Sequence, residues 1–317
     1  MGVKASAPGK VILLGEHAAV YGNPVLAATV DLRTYVSVDE RADESFILNN
    51  ESTNVFNERF TLKDIPELKK RWETVLLAEA VEKILDYHGV KRGLEIDVKS
   101  KAPISSGLGS SASVSSAMVY AVSRELGFDI SLEDTAKLAW DIENIVHGKS
   151  SGVDPYCVTY GGLLRYSKGV VSRIPLDEKP EITIGDTGVR SDTREVVLDV
   201  MRLKEQLPLF FEQYLKMMVD LVDYGQFFLN EGDVKSFGQV MNVNHGLLSS
   251  IGVSSPQLDA LVWAAREAGS PGSKLCGAGR GGIMIALGQY SKEIENAGGK
   301  VLSTRLCDEG VKLESRD

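Results

Sequence analysis

Two carboxylates, one lysine and a pair of glycine-rich turns are the residues of this chain best able to do chemistry. Glu143 and Asp154 stand eleven positions apart. Between them runs His147-Gly148-Lys149-Ser150-Ser151-Gly152, and Glu143 and His147 fall one helical turn apart on a common face. Two acids can divide the work of group transfer. One holds a hard cation such as Mg2+, which favours one or two carboxylates beside phosphate oxygens; the other accepts a proton or orients a hydroxyl. Taken singly, each reads better as a solvated surface charge; only together, flanked by Gly148 and Gly152 at the helix exit, does the functional reading draw level. Lys10 opens the apolar run Val11-Ile12-Leu13-Leu14, where an ammonium is costly to bury unless it meets an anion. Glu16 and His17 follow that run, either as ligand groups at a strand end or as a polar turn with a cap.

The segment Pro103-Ile104-Ser105-Ser106-Gly107-Leu108-Gly109-Ser110-Ser111-Ala112-Ser113 lies between an alternating strand (Leu94 to Val98) and a helix of small residues. Glycines let such a backbone turn tightly, and N–H groups at a helix N-terminus converge on whatever sits there, with about half a positive charge. Phosphate is the expected occupant, and the Ser110 and Ser111 hydroxyls add hydrogen bonds or a metal ligand. The named nucleotide motifs do not fit. Gly148-Lys149-Ser150 has Glu143 where a Walker loop requires its first glycine. Gly107/Gly109/Ala112 has the dinucleotide spacing but no acidic residue closing a following strand, and Gly277/Gly279/Gly282 precedes a strand instead of a helix.

The elements that must hold these groups follow from periodicity. Short apolar runs at 10–14 and 24–28 and an alternating run at 33–38 predict strands. A helix is expected over 66–88, with Leu68, Trp72, Val75, Leu76 and Ile84 on one side, and another over 132–147 behind the cap Ser131. After a strand at 163–167, the two prolines at 175–180 predict a linker. Long helical runs follow at 192–206, 208–230, 233–250 and 256–268, then a second glycine cluster at 274–282 and a strand at 283–287. The expectation is an α+β chain of two domains, 1–180 and 181–317.

Composition narrows the function classes. The 317 residues carry a formal charge of −9, with 43% hydrophobic and 25% charged residues. That excludes collagen, disorder and small disulfide scaffolds, and argues against nucleic acid or an anionic membrane as partner. Three scattered cysteines lack zinc or redox spacing, and no run is long enough to span a membrane, so a cytoplasmic protein is expected. The 31 glycines exceed the usual share of about 7%.

Taken jointly, these segments resemble the GHMP kinases, the family acting on galactose, homoserine, mevalonate and phosphomevalonate. Three motifs carry the resemblance in order: Ala7-Pro8-Gly9-Lys10 through Gly15-Glu16-His17, PISSGLGSSAS at 103–113, and Lys274-Leu275-Cys276-Gly277-Ala278-Gly279-Arg280-Gly281-Gly282. The opening APGKVILLGEHAAVYG and the stretch HGKSSGVD are most similar to the mevalonate-phosphorylating branch. Ser150 stands where that branch usually has proline, and Arg280 interrupts a run otherwise of glycine. The resemblance implies a ribosomal protein S5 domain 2-like first half, a ferredoxin-like second half and a homodimer. It implies phosphorylation of the mevalonate 5-hydroxyl by ATP and Mg2+, with 103–113 wrapping the triphosphate. In that reading Asp154 and Lys10 are catalytic, Ser111 and Glu143 hold Mg2+, and Glu16, His17, Ala18, Thr193 and Arg194 bind the acceptor. A phosphomevalonate-directed member and a non-catalytic ligand sensor of the same fold remain as alternatives.

Overall fold

The computed structural model describes residues 2–103, 107–148 and 150–315, with His147 described by its backbone alone. Strands β1 (Val3–Leu14), β2 (Val25–Arg41), β3 (Phe46–Asn50) and β4 (Val55–Phe60) come first, then helices α1 (Ile65–Leu68) and α2 (Val75–His88) and strand β5 (Gly93–Ser100). Helices α3 (Ser110–Glu125), α4 (Leu132–His147) and α5 (Val153–Tyr160) lead into β6 (Leu163–Ser167) and β7 (Val170–Arg173). The second half runs β8 (Ile182–Asp186), α6 (Thr193–Gln206), α7 (Pro208–Asn230), α8 (Val234–Ser250), α9 (Pro256–Glu267), β9 (Ser273–Cys276), β10 (Ile283–Leu287), α10 (Ser291–Asn296) and β11 (Lys300–Leu302). Two short strands, β12 (Leu306–Cys307) and β13 (Lys312–Leu313), end it.

The first sheet follows the order β13-β1-β2-β5-β3-β4, with β6 and β12 also paired to β2 and β7 to β6. Its axis is β2, in which the two expected strands at 24–28 and 33–38 are one strand of 17 residues. The chain runs extended through Asp31 and Leu32, and the register with β1 shifts there between Ala7 and Gly9. Helices α2, α3 and α4 cover one face, closing a core of Val36, Phe46, Ile84, Ile96, Met118 and Ile142. The second sheet is antiparallel in the order β11-β8-β10-β9. A further apolar cluster spans both halves, joining Leu13, Leu14 and Leu26 to Val222, Phe237, Ile283 and Ile285.

The chain passes between sheets across 174–181, where the sequence predicts a linker. It does not stay in the second half, however: β12 pairs with Thr29 and Val30, and β13 with Ala5 and Ser6. The domain expected over 181–317 thus returns its last strands to the first sheet. Buried Arg33 secures the return, donating to Ser6 Oγ (2.7 Å) and to the Gly310 carbonyl (2.7 Å).

The helix expected over 66–88 is interrupted. Thr74 Oγ1 donates to the Leu68 carbonyl at 2.7 Å, a local bond that competes with helical pairing, and Trp72 is 68% exposed instead of buried. Among the described residues no helix is long and apolar enough to cross a membrane.

Candidate active site

Lys10 and Asp154 meet where β1 passes beneath the glycine–serine loop. Lys10 is only 3% exposed, and its Nζ lies 3.1 Å from Asp154 Oδ1 and donates to the Gly107 carbonyl at 2.9 Å. Burial, the largest single influence, works against its charge, but the groups around it, Asp154 foremost, together raise the lysine pKa. Asp154 is 31% exposed, open toward a ligand. It sits in the first turn of α5, a helix the sequence reading missed because it opens on Gly152 and contains Pro155. Proline is tolerated in a first turn, where the N–H it lacks has no intrahelical partner. The turn before α5 is tied down by Trp140 Nε1 donating to the Ser150 carbonyl (3.3 Å) and Tyr166 Oη to that of Ser151 (2.8 Å). Ser150 N–H donates to Asn144 Oδ1 at 2.8 Å, a bond that proline could not make.

Helix α3 begins directly above this pair. Its cap Gly109 has φ 71° and supplies no side-chain hydrogen bond, and a helix N-terminus is a place that favours an anion. Ser113 Oγ fastens the turn to β1 by donating to the Pro8 carbonyl at 2.6 Å. Of the expected phosphate loop, Pro103 and Gly107 to Ser113 are described; Ile104, Ser105 and Ser106 lie outside the described residues. Glu143 on α4 is buried, and burial first, then the Asp154 charge, pushes its carboxyl up to about 7, against a hydrogen bond from Ser111. Among the described residues no three His, Cys, Asp or Glu side chains gather as a metal centre. The available donors are a hydroxyl and two carboxylates. Such a hard, sparse set fits Mg2+, which takes few protein ligands and completes its shell with phosphate and water.

Glu16 and His17 follow β1. Glu16 is buried and ion-paired to Lys274 of β9, and burial raises its pKa despite that partner. Its second oxygen, Oε2, is buried with no hydrogen-bond partner among the described residues. His17 adopts φ 61°, a strained conformation for an L-residue, and its Nε2–H donates to the Ala278 carbonyl at 2.9 Å. Ala18 N–H returns to the Glu16 carbonyl at 2.7 Å. The second glycine loop closes on this turn. Arg280, at φ 56°, anchors it through Asp199 Oδ2 (2.5 Å) and the Gly252 carbonyl (3.1 Å), so the departure from glycine is a tether. Thr193 and Arg194 occupy the exposed first turn of α6. Among the described residues no hydrogen bond or ion pair joins either side chain to Glu16, His17 or Asp154; α6 meets the second glycine loop through Asp199, and the segment before it through the Val189 carbonyl, which accepts from Gly282 N–H at 2.8 Å.

Comparison with known proteins reads on the same segments. The GHMP kinases N terminal domain profile matches residues 75–162, and that of the GHMP kinases C terminal domain residues 228–304. A mevalonate kinase of Pyrococcus horikoshii is 39% identical across 98% of both chains. The chain belongs to the GHMP kinases. A further family profile, the galactokinase galactose-binding signature, matches residues 2–40, the stretch holding Lys10, Glu16 and His17. Another relative, a mevalonate kinase of Saccharolobus solfataricus, is 32% identical over 98% of both. Among solved structures, Methanococcus jannaschii mevalonate kinase superposes with a TM-score of 0.85 at 27% identity, covering 97% of this chain and 99% of that one. L. major mevalonate kinase in complex with R-mevalonate gives 0.81 at 27% identity, over 98% and 97%.

The two-domain GHMP kinase fold thus brings Lys10, Asp154, Ser111 and Glu143 to one place, with Glu16 and His17 at the far end of β1. Sequence reasoning missed Lys274, although a lysine inside the apolar run before a glycine loop is the same signal that singled out Lys10. His245 is a further buried polar group that meets β9, the strand of Lys274. That ring is buried on α8, accepting the Leu275 N–H at Nδ1 (3.3 Å) and donating from Nε2 to Asp259 (3.2 Å). Burial lowers its pKa to about 4, with Arg266 adding to the shift and Asp259 opposing it. The unfolded chain therefore binds a proton that the folded one refuses between pH 6.5 and 4, and stability is lost as pH falls through that window, by at most about 1.4 kcal/mol per pH unit. Urea titrations at pH 7 and pH 5 should show a loss in the native protein that is smaller in His245→Gln.

Proposed function

We propose that this kinase transfers the γ-phosphoryl group of ATP to the 5-hydroxyl of (R)-mevalonate. The observation that carries the reading is the Lys10–Asp154 pair, 3.1 Å apart beneath the uncapped N-terminus of α3. Asp154 accepts the hydroxyl proton as the oxygen attacks, a role within reach of a partly open carboxylate in contact with a lysine. Lys10 holds that carboxylate in place and stabilises negative charge developing on the transferred group. Residues 103–113 cradle the triphosphate. Ser111 and Glu143 would hold Mg2+, which would supply positive charge to offset that of the phosphates. Glu16, His17 and Ala18 line the acceptor pocket, and Thr193 or Arg194 meets the mevalonate carboxylate from the start of α6.

Relatives named mevalonate kinase across the whole chain support this acceptor. A coupled ADP-release assay with mevalonate, phosphomevalonate, galactose and homoserine tests it. Turnover is expected with mevalonate. Preference for phosphomevalonate would transfer the assignment to that branch, and no ADP with any alcohol would favour a ligand sensor.

We infer a homodimer as well. Helix α7 leaves Phe210, Met217 and Tyr224 exposed at seven-residue spacing, with Leu209 and Phe227 beside them, an apolar stripe able to pair with its own copy. Three free cysteines, two of them buried, suit the reducing cytoplasm.

A further inference from the structure

Strand β9 is the edge of the second sheet, and its side chains alternate in direction. Lys274 and Cys276, two residues apart, therefore project on one face, and that face meets β1. The Ile12 N–H donates to Cys276 Sγ at 3.2 Å, and the Ile12 carbonyl lies 3.5 Å from Lys274 Nζ. Both polar groups of one β1 residue are thus met by side chains of the other sheet. The site of capture is not arbitrary: on one edge of β1 Ile12 stays in register with Ala27 of β2, while on the other edge β13 pairs only with Ala5 and Ser6 and leaves the Ile12 backbone groups to other partners. Lys274 is wholly buried and also bonds the Leu275 carbonyl (2.7 Å) and the Glu16 carboxylate. Its three ammonium protons thereby face three acceptors.

We propose that Lys274 is a positioning residue for phosphoryl transfer: with Cys276 it holds the Ile12–Glu16 segment to β9 and so fixes where Glu16 presents its unpartnered oxygen to the acceptor alcohol. Lys274 itself touches neither substrate nor nucleotide in this account. It acts through Glu16 and β1, tying the acceptor side of the site to the same strand that leads into the closing glycine loop. The kinetic half of the test rests on the proposed acceptor; the structural half does not.

Hydrogen exchange of the full chain, followed by mass spectrometry, provides that structural half. Lys274→Met is expected to speed exchange at residues 11–18 by about tenfold or more, a local opening, while 182–186 and 283–287 keep native rates. In steady-state assays the same variant should raise KM for mevalonate by about tenfold and change KM for ATP by less than about twofold, since one charge-assisted contact carries about that much. Glu16→Gln should give the same split. The double variant Glu16→Gln, Lys274→Met should lose no more than the worse single one, because both act through one contact. The double variant also removes the unpaired buried charge and Cys276→Val conserves volume, so both guard against a single variant that fails to fold. Cys276→Val should speed exchange in 11–18 alone. Native exchange there in both folded variants, equal rises in the two KM values, or additive losses would overturn the proposal. A native protein inert toward every alcohol overturns the functional reading instead, and the exchange result then decides the positioning.

Discussion

Asparagine in place of Asp154 is expected to lower kcat by about a hundred- to ten-thousandfold, the range over which a positioned acid or base accelerates proton transfer. The side chains are nearly the same shape, and an amide oxygen can still accept from Lys10. What the substitution removes is the negative charge and the capacity to take a proton. The charge also sustains Lys10: burial alone would lower the lysine pKa, and the Asp154 carboxylate 3.1 Å away is the foremost of the groups that raise it. The variant therefore disables the proton acceptor and weakens the neighbouring cation together. In the proposed arrangement ATP binding does not depend on the proton, so KM for ATP should stay within a fewfold of the native value. Single-turnover measurement with saturating ATP and mevalonate separates the chemical step from binding. A kcat within tenfold of the native value would remove Asp154 from the role of base.

Particular residues show why some of this site was legible in the sequence and some was not. Lys10 declared itself because a charge bordering an apolar strand needs a partner, and Glu16 by its place at the end of that strand; the partners are Asp154 and Lys274. The Gly107–Ser113 turn was legible because glycine followed by serine before a small-residue helix is a local pattern. The helices α6 to α9 follow their 3.6-residue periodicity almost to the residue. Partners set by tertiary closure were not legible. Nothing local announces that Cys276 meets the Ile12 amide across 264 positions, or that β13 returns to β1. The interruption at Thr74 was hidden for a related reason: apolar spacing continues through 66–88, while one hydroxyl bond to Leu68 stops the helix. Exposed Trp72 fell on the expected core face only because that helix was taken as unbroken.

Alanine at Gly109 is the second substitution expected to cost the most, and two glycines elsewhere make its cause readable. Gly109 has φ 71°, a region that costs an L-residue about 1–2 kcal/mol. Gly89 (φ 66°) and Gly127 (φ 83°) lie in the same region with nothing within 4 Å of where a methyl would stand. All three alanine variants should therefore lose comparable stability from the backbone alone, about 2–4 °C in Tm per kcal/mol for a chain of this size. At Gly109 there is a second cost. The added methyl would come within 2.9 Å of Lys10 Cγ, 3.1 Å of Lys10 Cε and 3.4 Å of Asp154 Oδ2. Lys10 cannot yield freely, since its ammonium is held at Asp154 and at the Gly107 carbonyl, which belongs to the same loop. Either the lysine leaves Asp154 or the loop lifts from β1, and both misplace the triphosphate relative to the acceptor. A displacement of about 1 Å in such a site costs on the order of a hundredfold in rate. Gly109→Ala should thus lose about a hundredfold in kcat, with Gly89→Ala and Gly127→Ala active at native levels after correction for folded fraction. Equal activity in the three variants would mean that the closeness of Gly109 to Lys10 has no part in the reaction.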